Sequence, residues 1–330
     1  MPYAENSSLF WMSGRLATDL VEVSHDPSCL DDGGFWAVST TFENEFTAAR
    51  FATVVNAPFP TTPWIPLKGA WSSSLSAEQY MAYVERIRNS VADGWVYQVN
   101  ACRRLTHPGD GQSLRGLFSQ ILENNPAPWA SYFEIPELMI ASASPELFLS
   151  RNGSTVKSSP IKGTQHNNVQ NFGAKDQAEN VMIVDLMRND LGQICKSGTV
   201  EVPRLLSSEE HPGLQHLVSD VQGELLDDIS WSKILSALSP PGSVSGAPKS
   251  SATQVIGANE IARGPYCGAL GWVEGNQAVL SVAIRTFWKD QGINFGTGAG
   301  ITWGSRADAE WEETQLKARR LISIAGGELL

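Results

Sequence analysis

The chain has 330 residues, 42% of them hydrophobic and 18% charged, with a formal net charge of −11. That length builds one large domain or two ordinary ones, and the composition is that of a folded protein. The acidic balance argues against a nucleic-acid binder, which would carry a basic face, but allows a locally basic pocket for an anion. Cys29, Cys102, Cys195 and Cys267 show no C-x-x-C spacing, so reduced thiols of a cytoplasmic protein are expected rather than zinc or thioredoxin-type sites. No apolar run reaches ~18 residues and residues 1–20 lack a leader pattern, so neither a membrane span nor a secretory signal is expected.

Residues 1–70, rich in Pro, Gly, Thr and Ser, read as short strands and loops with no chemistry assigned. A helix follows: Ser76 and Gln79 form a capping-box pattern, Tyr80, Tyr83, Val84, Ile87 and Val91 recur at helical spacing, and Gly94 stops it. Residues 95–105 alternate as a strand, 113–124 form a second helix, and 130–142, 146–150 and 154–159 read as strands. Helices are predicted from Ala174 to Asp190, stopped by Gly192, and from Pro248 to Arg263. Strands over 268–274, 278–287 and 293–299 precede a last helix from Ala307 to Ala325. Runs of strands mixed with runs of helices indicate α+β.

Lys162, between a proline-led dipeptide and Gly163, is expected on a short stiff turn, and Glu146 on a similar one after Ser144-Pro145. A lysine becomes a nucleophile when desolvation or a neighbouring cation lowers its pKa. A glutamic acid becomes a general acid when burial raises its own. The plain alternatives are a turn lysine paired with a surface acid and a turn carboxylate. Asp176 with Glu179, and Glu310 with Glu313, each lie three apart on a predicted helix and share a face. Two such faces could hold a hard divalent cation, although spacing alone favours ordinary first-turn acids. Lys317 adds a cation one turn past Glu313, and Arg285 lies on an apolar strand where it needs an anionic partner. The glycines of 296–300 could present backbone N–H groups to a carboxylate, or simply end a strand. Residues 240–249 could bind an anion ahead of a helix or merely connect. His216 reads by default as a satisfied core histidine.

The segments YQVN (97–100), SPELF (144–148), PIKGT (160–164), AENVMIVDLMRNDLG (178–192), HLVS (216–219), PGSVSGAPK (241–249), CGALGW (267–272), AIRT (283–286), GAGI (298–301) and AEWEET (309–314) occur in this order. Together they resemble the chorismate-utilising enzyme family over roughly residues 75–325. The resemblance implies an α+β fold of two large, mainly antiparallel sheets in a sandwich with outer helices. It implies a catalytic region over 71–330, with 1–70 a shortened N-terminal part of the same domain.

It further implies Mg²⁺ held by Glu179 and Glu313, supported by Asp176 and Glu310, and facing the ring carboxylate of chorismate. Tyr266, Arg285, Lys317, Thr164 and the backbone of Gly298, Ala299 and Gly300 would grip the substrate. Glu146 would serve as general acid/base and His216 would line the site near the enolpyruvyl ether. Two positions resemble the aminodeoxychorismate type, which serves para-aminobenzoate and folate synthesis. Lys162 stands where anthranilate synthase-like members typically have alanine. Gln98 stands where water-adding members have a lysine. The implied reaction is attack of Lys162 on chorismate followed by ammonia. With no G-x-C-x-G nucleophile in the chain, a separate glutamine amidotransferase subunit is the expected ammonia source. The competing expectations are anthranilate synthesis and a non-catalytic homologue.

Overall fold

A computed structural model describes residues 8–109, 111–166, 172–211 and 214–329. Helix α1, Ala77–Ala92, starts where the capping pattern places it: Ser76 Oγ accepts from Gln79 N at 3.2 Å, and Gln79 Oε1 from Ser76 N at 2.9 Å. Its apolar stripe buries Tyr80, Tyr83, Val84 and Ile87. The other helices are α2 (Leu114–Asn124), α3 (Ala174–Gly192), α4 (Trp231–Leu238), the single-turn α5 (Gly242–Ser245), α6 (Lys249–Asn259) and α7 (Ala307–Ala325). Helix α6 ends four residues before the predicted Arg263, because Arg263 leaves the helical path to bond Asn100 O and Val244 O.

The strands, in chain order, are β1 (Leu9–Met12), β2 (Arg15–Ser24), β3 (Phe35–Thr40), β4 (Phe46–Asn56), β5 (Leu67–Ser73), β6 (Gln98–His107), β7 (Trp129–Ile135), β8 (Leu138–Ser144), β9 (Leu147–Asn152) and β10 (Thr155–Ser159). They continue as β11 (Ile161–His166), β12 (Glu201–His211), β13 (Leu214–Glu224), β14 (Gly246–Ala247), β15 (Ala269–Glu274), β16 (Gln277–Val282), β17 (Thr286–Lys289), β18 (Ile293–Ile301) and β19 (Gly326–Leu329). Apart from the parallel β19–β5 pair, neighbours in the named strands run antiparallel. The chain is thus α+β with a large, mainly antiparallel sheet.

Hydrogen bonding joins two arms. One arm runs β12–β13–β10–β9–β16–β15–β3–β4–β2, with β11 also on β13; the other runs β1–β7–β8–β17–β18–β6–β5. The β1–β2 hairpin, four ladder pairs from Leu9↔Thr18 to Met12↔Arg15, connects them. A first core mixes both arms, burying Trp36, Leu149, Val156 and Leu280 with Phe10, Val99, Phe133 and Ile301. A second lies where α2 and α7 cover the other arm, burying Leu117, Phe118, Leu321 and Ile322 with Leu105, Tyr132 and Phe295. Each fully buried apolar side chain contributes roughly 1.5–3 kcal/mol by leaving water.

Three expectations are corrected. Residues 278–287 are not one strand: the ladder breaks at 283–285, and Arg285 occupies a left-handed conformation, φ 53°. Residues 130–142 form a hairpin, β7–β8. The N-terminal strands are not all short: β1 and β3 have 4 and 6 residues, but β2 has 10 and β4 has 11.

Candidate functional site

Glu146 sits in the connection between β8 and β9. Ser144 Oγ accepts from its backbone N–H at 3.2 Å, and its carbonyl accepts from Val282 N at 3.0 Å. The side chain is 3% exposed. Burial pushes its pKa up to about 7, against a hydrogen bond from Ser243 and the charge of Lys162. This carboxyl therefore holds its proton well above the usual carboxylate range.

Lys162 is not on a free turn. It pairs with Leu217 in the β11–β13 ladder, and the register shifts immediately after it, at Gly163. Gly163 has φ 73°, and a Cβ there would stand 3.1 Å from Asp176 Cβ. The bulge thus needs glycine and seats the start of α3 beside Lys162. Lys162 Nζ donates to Ser243 O at 3.0 Å. Burial lowers its pKa, helped by Lys317 and opposed by Glu179, Glu146 and Glu313. Four predicted residues, from α3, α7 and the β8–β9 connection, therefore bear on one amine.

Helix α3 is fixed to β13 by Asn180, whose Nδ2 donates to Leu217 O at 3.2 Å and whose Oδ1 accepts from Ser219 Oγ at 2.5 Å. That places Glu179 near Lys162. On α7, Lys317 Nζ lies 2.6 Å from Glu313 Oε1 and donates to Gly298 O at 3.0 Å. Glu310 is buried, and with Glu313 it raises the Tyr80 phenol, after burial and Cys102.

The glycines of 296–300 are not a strand-end turn. They lie inside β18, opposite β6 at Gly298↔Cys102 and Gly300↔Asn100, while β17 accompanies β18 only over Ile293–Phe295. Beyond Phe295 that edge of β18 is open to Lys317. Because Gly298 O points to Lys317, strand alternation aims the N–H groups of Gly298 and Gly300 the same way. The glycines also allow close approach. A Cβ on Gly300 would meet Gln98 Nε2 at 2.4 Å and lie 3.7 Å from Lys162 Nζ, and one on Gly296 would meet the Tyr266 ring at 2.1 Å. Tyr266 is buried and held as a neutral phenol by that burial, with its hydroxyl bonded to Cys102.

Arg285 stands in the break between β16 and β17. Burial alone lowers its pKa, and no carboxylate among the described residues offsets it. A cation in that state, on a left-handed backbone, is poised for an anionic ligand. His216 is buried on β13 opposite Thr164 of β11 and Glu209 of β12. The Thr164 side chain lies outside the described residues.

Two further residues belong to the site. Ser243, 5% exposed on α5, touches both Lys162 and Glu146. Its segment was visible in the sequence, but nothing there marked this serine. Gln98 is 1% exposed, and neither its Oε1 nor its Nε2 has a hydrogen-bond partner among the described residues. Orphaned buried amides are rare and ask for an explanation, and this one lies beside Lys162.

The acidic residues suit a hard cation. Glu179 and Glu313 come from different helices, both act on the Lys162 amine, and offer oxygen donors only. No group of three or more His, Cys, Asp or Glu side chains is assembled among the described residues. Mg²⁺ needs no such cage, because it keeps waters and takes substrate oxygens. A cavity of about 790 Å³ behind residues 240–249, lined by Asp190, Ser239 and Lys249, contains none of these groups. No helix is long and apolar enough to cross a membrane among the described residues.

The sequence matches a model described as chorismate binding enzyme over residues 35–323. It is 33% identical over 321 residues to aminodeoxychorismate synthase component 1 of Escherichia coli, covering 92% of this chain and 70% of that protein. It is 34% identical over 271 residues to anthranilate synthase component 1 of Saccharolobus solfataricus, covering 78% and 64%. The fold matches anthranilate synthase component I from Streptococcus pneumoniae with TM-score 0.80 at 21% identity, covering 98% of this chain and 91% of that one. It also matches the menaquinone-specific isochorismate synthase from Escherichia coli with TM-score 0.80 at 16% identity, covering 97% and 89%. With most of its length inside the family model, the chain belongs to the chorismate-binding enzyme family.

Proposed function

We propose that this chain aminates chorismate at C4 with ammonia, giving 4-amino-4-deoxychorismate through a covalent adduct on Lys162. The observation that carries this reading is the pairing, across Ser243, of an amine whose charge is disfavoured with a carboxyl protonated near neutrality. The neutral Lys162 amine adds at C2, both ring double bonds shift, and the C4–O bond breaks. Glu146 gives its proton to the departing hydroxyl, which leaves as water. Ammonia then forms a bond at C4, the double bonds return, and the C2–N bond breaks with Lys162 as leaving group. The carboxylate of Glu146 accepts the proton that ammonia loses. Splitting one hard substitution into two easier ones is the gain.

Arg285, Lys317 and the open N–H groups of β18 bind the carboxylates, Tyr266 forms the floor below Gly296, and His216 and Thr164 line the cleft. Glu179 and Glu313, supported by Asp176 and Glu310, would hold Mg²⁺. When bound, the ion supplies charge neutralisation and orientation of the ring carboxylate. Ammonia comes from a separate glutamine amidotransferase subunit, a reading supported by relatives named as component 1.

A second reading, anthranilate synthesis with loss of pyruvate, is favoured by the equal likeness to anthranilate synthase component 1. Incubation with chorismate, Mg²⁺ and ammonium at alkaline pH, followed by chromatography and mass spectrometry, separates them. The first reading gives a product that an added lyase converts to para-aminobenzoate. Anthranilate with pyruvate would replace it by the second, and unchanged chorismate would reject both.

Gln98 gives an independent check. Its amide is buried without partners, a state costing about 1–3 kcal/mol, and a bound substrate can supply the missing partner. Gln98→Met is therefore expected to melt at a higher temperature while its KM for chorismate rises about tenfold. A variant neither more stable nor weaker in KM would show that the amide faces no ligand.

A further inference from the structure

Arg103 is 2% exposed on β6. Its Nε donates to Thr314 Oγ1 at 3.0 Å, one terminal nitrogen to Gln315 Oε1 at 2.7 Å, and the other to Ser73 Oγ at 3.1 Å. The guanidinium also lies 4.2 Å from the centroid of Trp311. Three of these four contacts are on α7. No carboxylate among the described residues pairs with it, and burial lowers its pKa to about 10, opposed by the Tyr80 and Tyr266 phenols.

A buried cation held by neutral oxygens and a ring is a costly way to pack a helix. An apolar side chain would fill the same space, but it would supply no hydrogen bonds that specify the helix's rotation. The planar fork does. It fixes Trp311, Thr314 and Gln315 at once, and so sets both the rotation and the height of α7. The residue directly across the ladder, Thr297 of β18, grips the same point, donating from Oγ1 to Thr314 O at 2.8 Å. Glu313 is adjacent to that clamp, and Lys317, three residues on, reaches Gly298 of the same strand.

We propose that Arg103 is a positioning residue: it sets the rotation of α7 so that Glu313 and Lys317 face the cleft of Lys162 and Glu146. The inference rests on the proposed roles of Glu313 as metal ligand and Lys317 as substrate ligand. The test uses the full chain with Arg103→Met and Arg103→Lys. Each variant is melted and then titrated calorimetrically, first with Mg²⁺ alone and then with chorismate. Residues that orient a metal ligand typically affect affinity 10–100-fold, so the expected result is Mg²⁺ binding at least ~10-fold weaker, with weaker chorismate binding, in protein that is still folded. The lysine variant keeps the charge but loses the fork, and should fail nearly as far as methionine. Unchanged dissociation constants for both ligands would overturn the positioning role, even with a lowered melting temperature. If wild type binds chorismate but no Mg²⁺, the metal reading falls and the chorismate titration decides on Arg103. Wild-type protein that takes neither ligand would overturn the proposed function together with this inference.

Discussion

Lys162→Ala is expected to lower turnover of chorismate with ammonium by at least ~10³-fold, the order of loss when a covalent nucleophile is removed. The amine is placed for attack by the β11 ladder and the Gly163 bulge, which do not depend on its own side chain, and is held at its tip by the carbonyl of Ser243. The variant should therefore fold and retain chorismate binding. Intact-protein mass spectrometry of wild type quenched with chorismate and no ammonia should show enzyme plus chorismate minus one water, and the alanine variant should not. Wild-type turnover in the alanine variant would rule out the covalent path.

The pH profile carries more information than the rate. The reactive form needs Lys162 neutral and Glu146 protonated. Lys162 is lowered from 10.5, and Glu146 is raised from 4.5 to about 7. Because both groups titrate, kcat/KM should be bell-shaped, with one limb near 7 from Glu146 and the other set by the lowered Lys162. A Lys162 that acted only as a fixed positive charge would give a different curve, with activity falling above about 7 as Glu146 loses its proton.

Glu146→Gln should separate activity from stability in the opposite direction. Loss of general acid catalysis predicts a fall in kcat of about 10²–10⁴-fold. In the wild type, the unfolded chain loses the Glu146 proton near 4.5, while the folded chain keeps it to about 7. Wild-type stability from this group therefore falls as pH rises across that window. Glutamine has no proton to lose, so the variant gains on the wild type from pH 4.5 to 7 and then holds its advantage. At about 1.36 kcal/mol per pH unit, the gain is roughly 3 kcal/mol. Denaturant melts at pH 4.5 and pH 8 measure it, and equal differences at the two pH values would show that Glu146 is not held neutral by the fold.

Helices with strong local signals were legible in the sequence. The Ser76–Gln79 box and the span of α7 are found where spacing puts them. The β12–β13 hairpin was not assigned, and its pairing shows why. The register slips twice, between Glu201 and Arg204 and again between Arg204 and Ser207, so the two-residue period is broken over the first half of β12. The break at Arg285 was hidden because Ala283 and Ile284 continue the apolar run of β16. Within the site, no spacing rule brings Glu146, Lys162, Glu179 and Glu313 to one place. Only the ladder of β11 with β13, the Asn180 bridge and the open edge of β18 do that. The motif resemblance named these residues and the Gln98 position, while Ser243 and the lack of partners for the Gln98 amide emerged only from three-dimensional contacts.

The β1–β2 hairpin gives the cleft a mechanical character. Lys162 belongs to one arm and Gly300 to the other, and the strand-to-strand path between them passes through those four ladder pairs. The arms are like facing pages sewn along one spine. Any change in the gap between Lys162 and Gly300 would have to be taken up at that spine and in the shared core, because the arms are not independent sheets. Residues 9–18, which carry no chemistry, thereby hold leverage over the gap in which chemistry occurs.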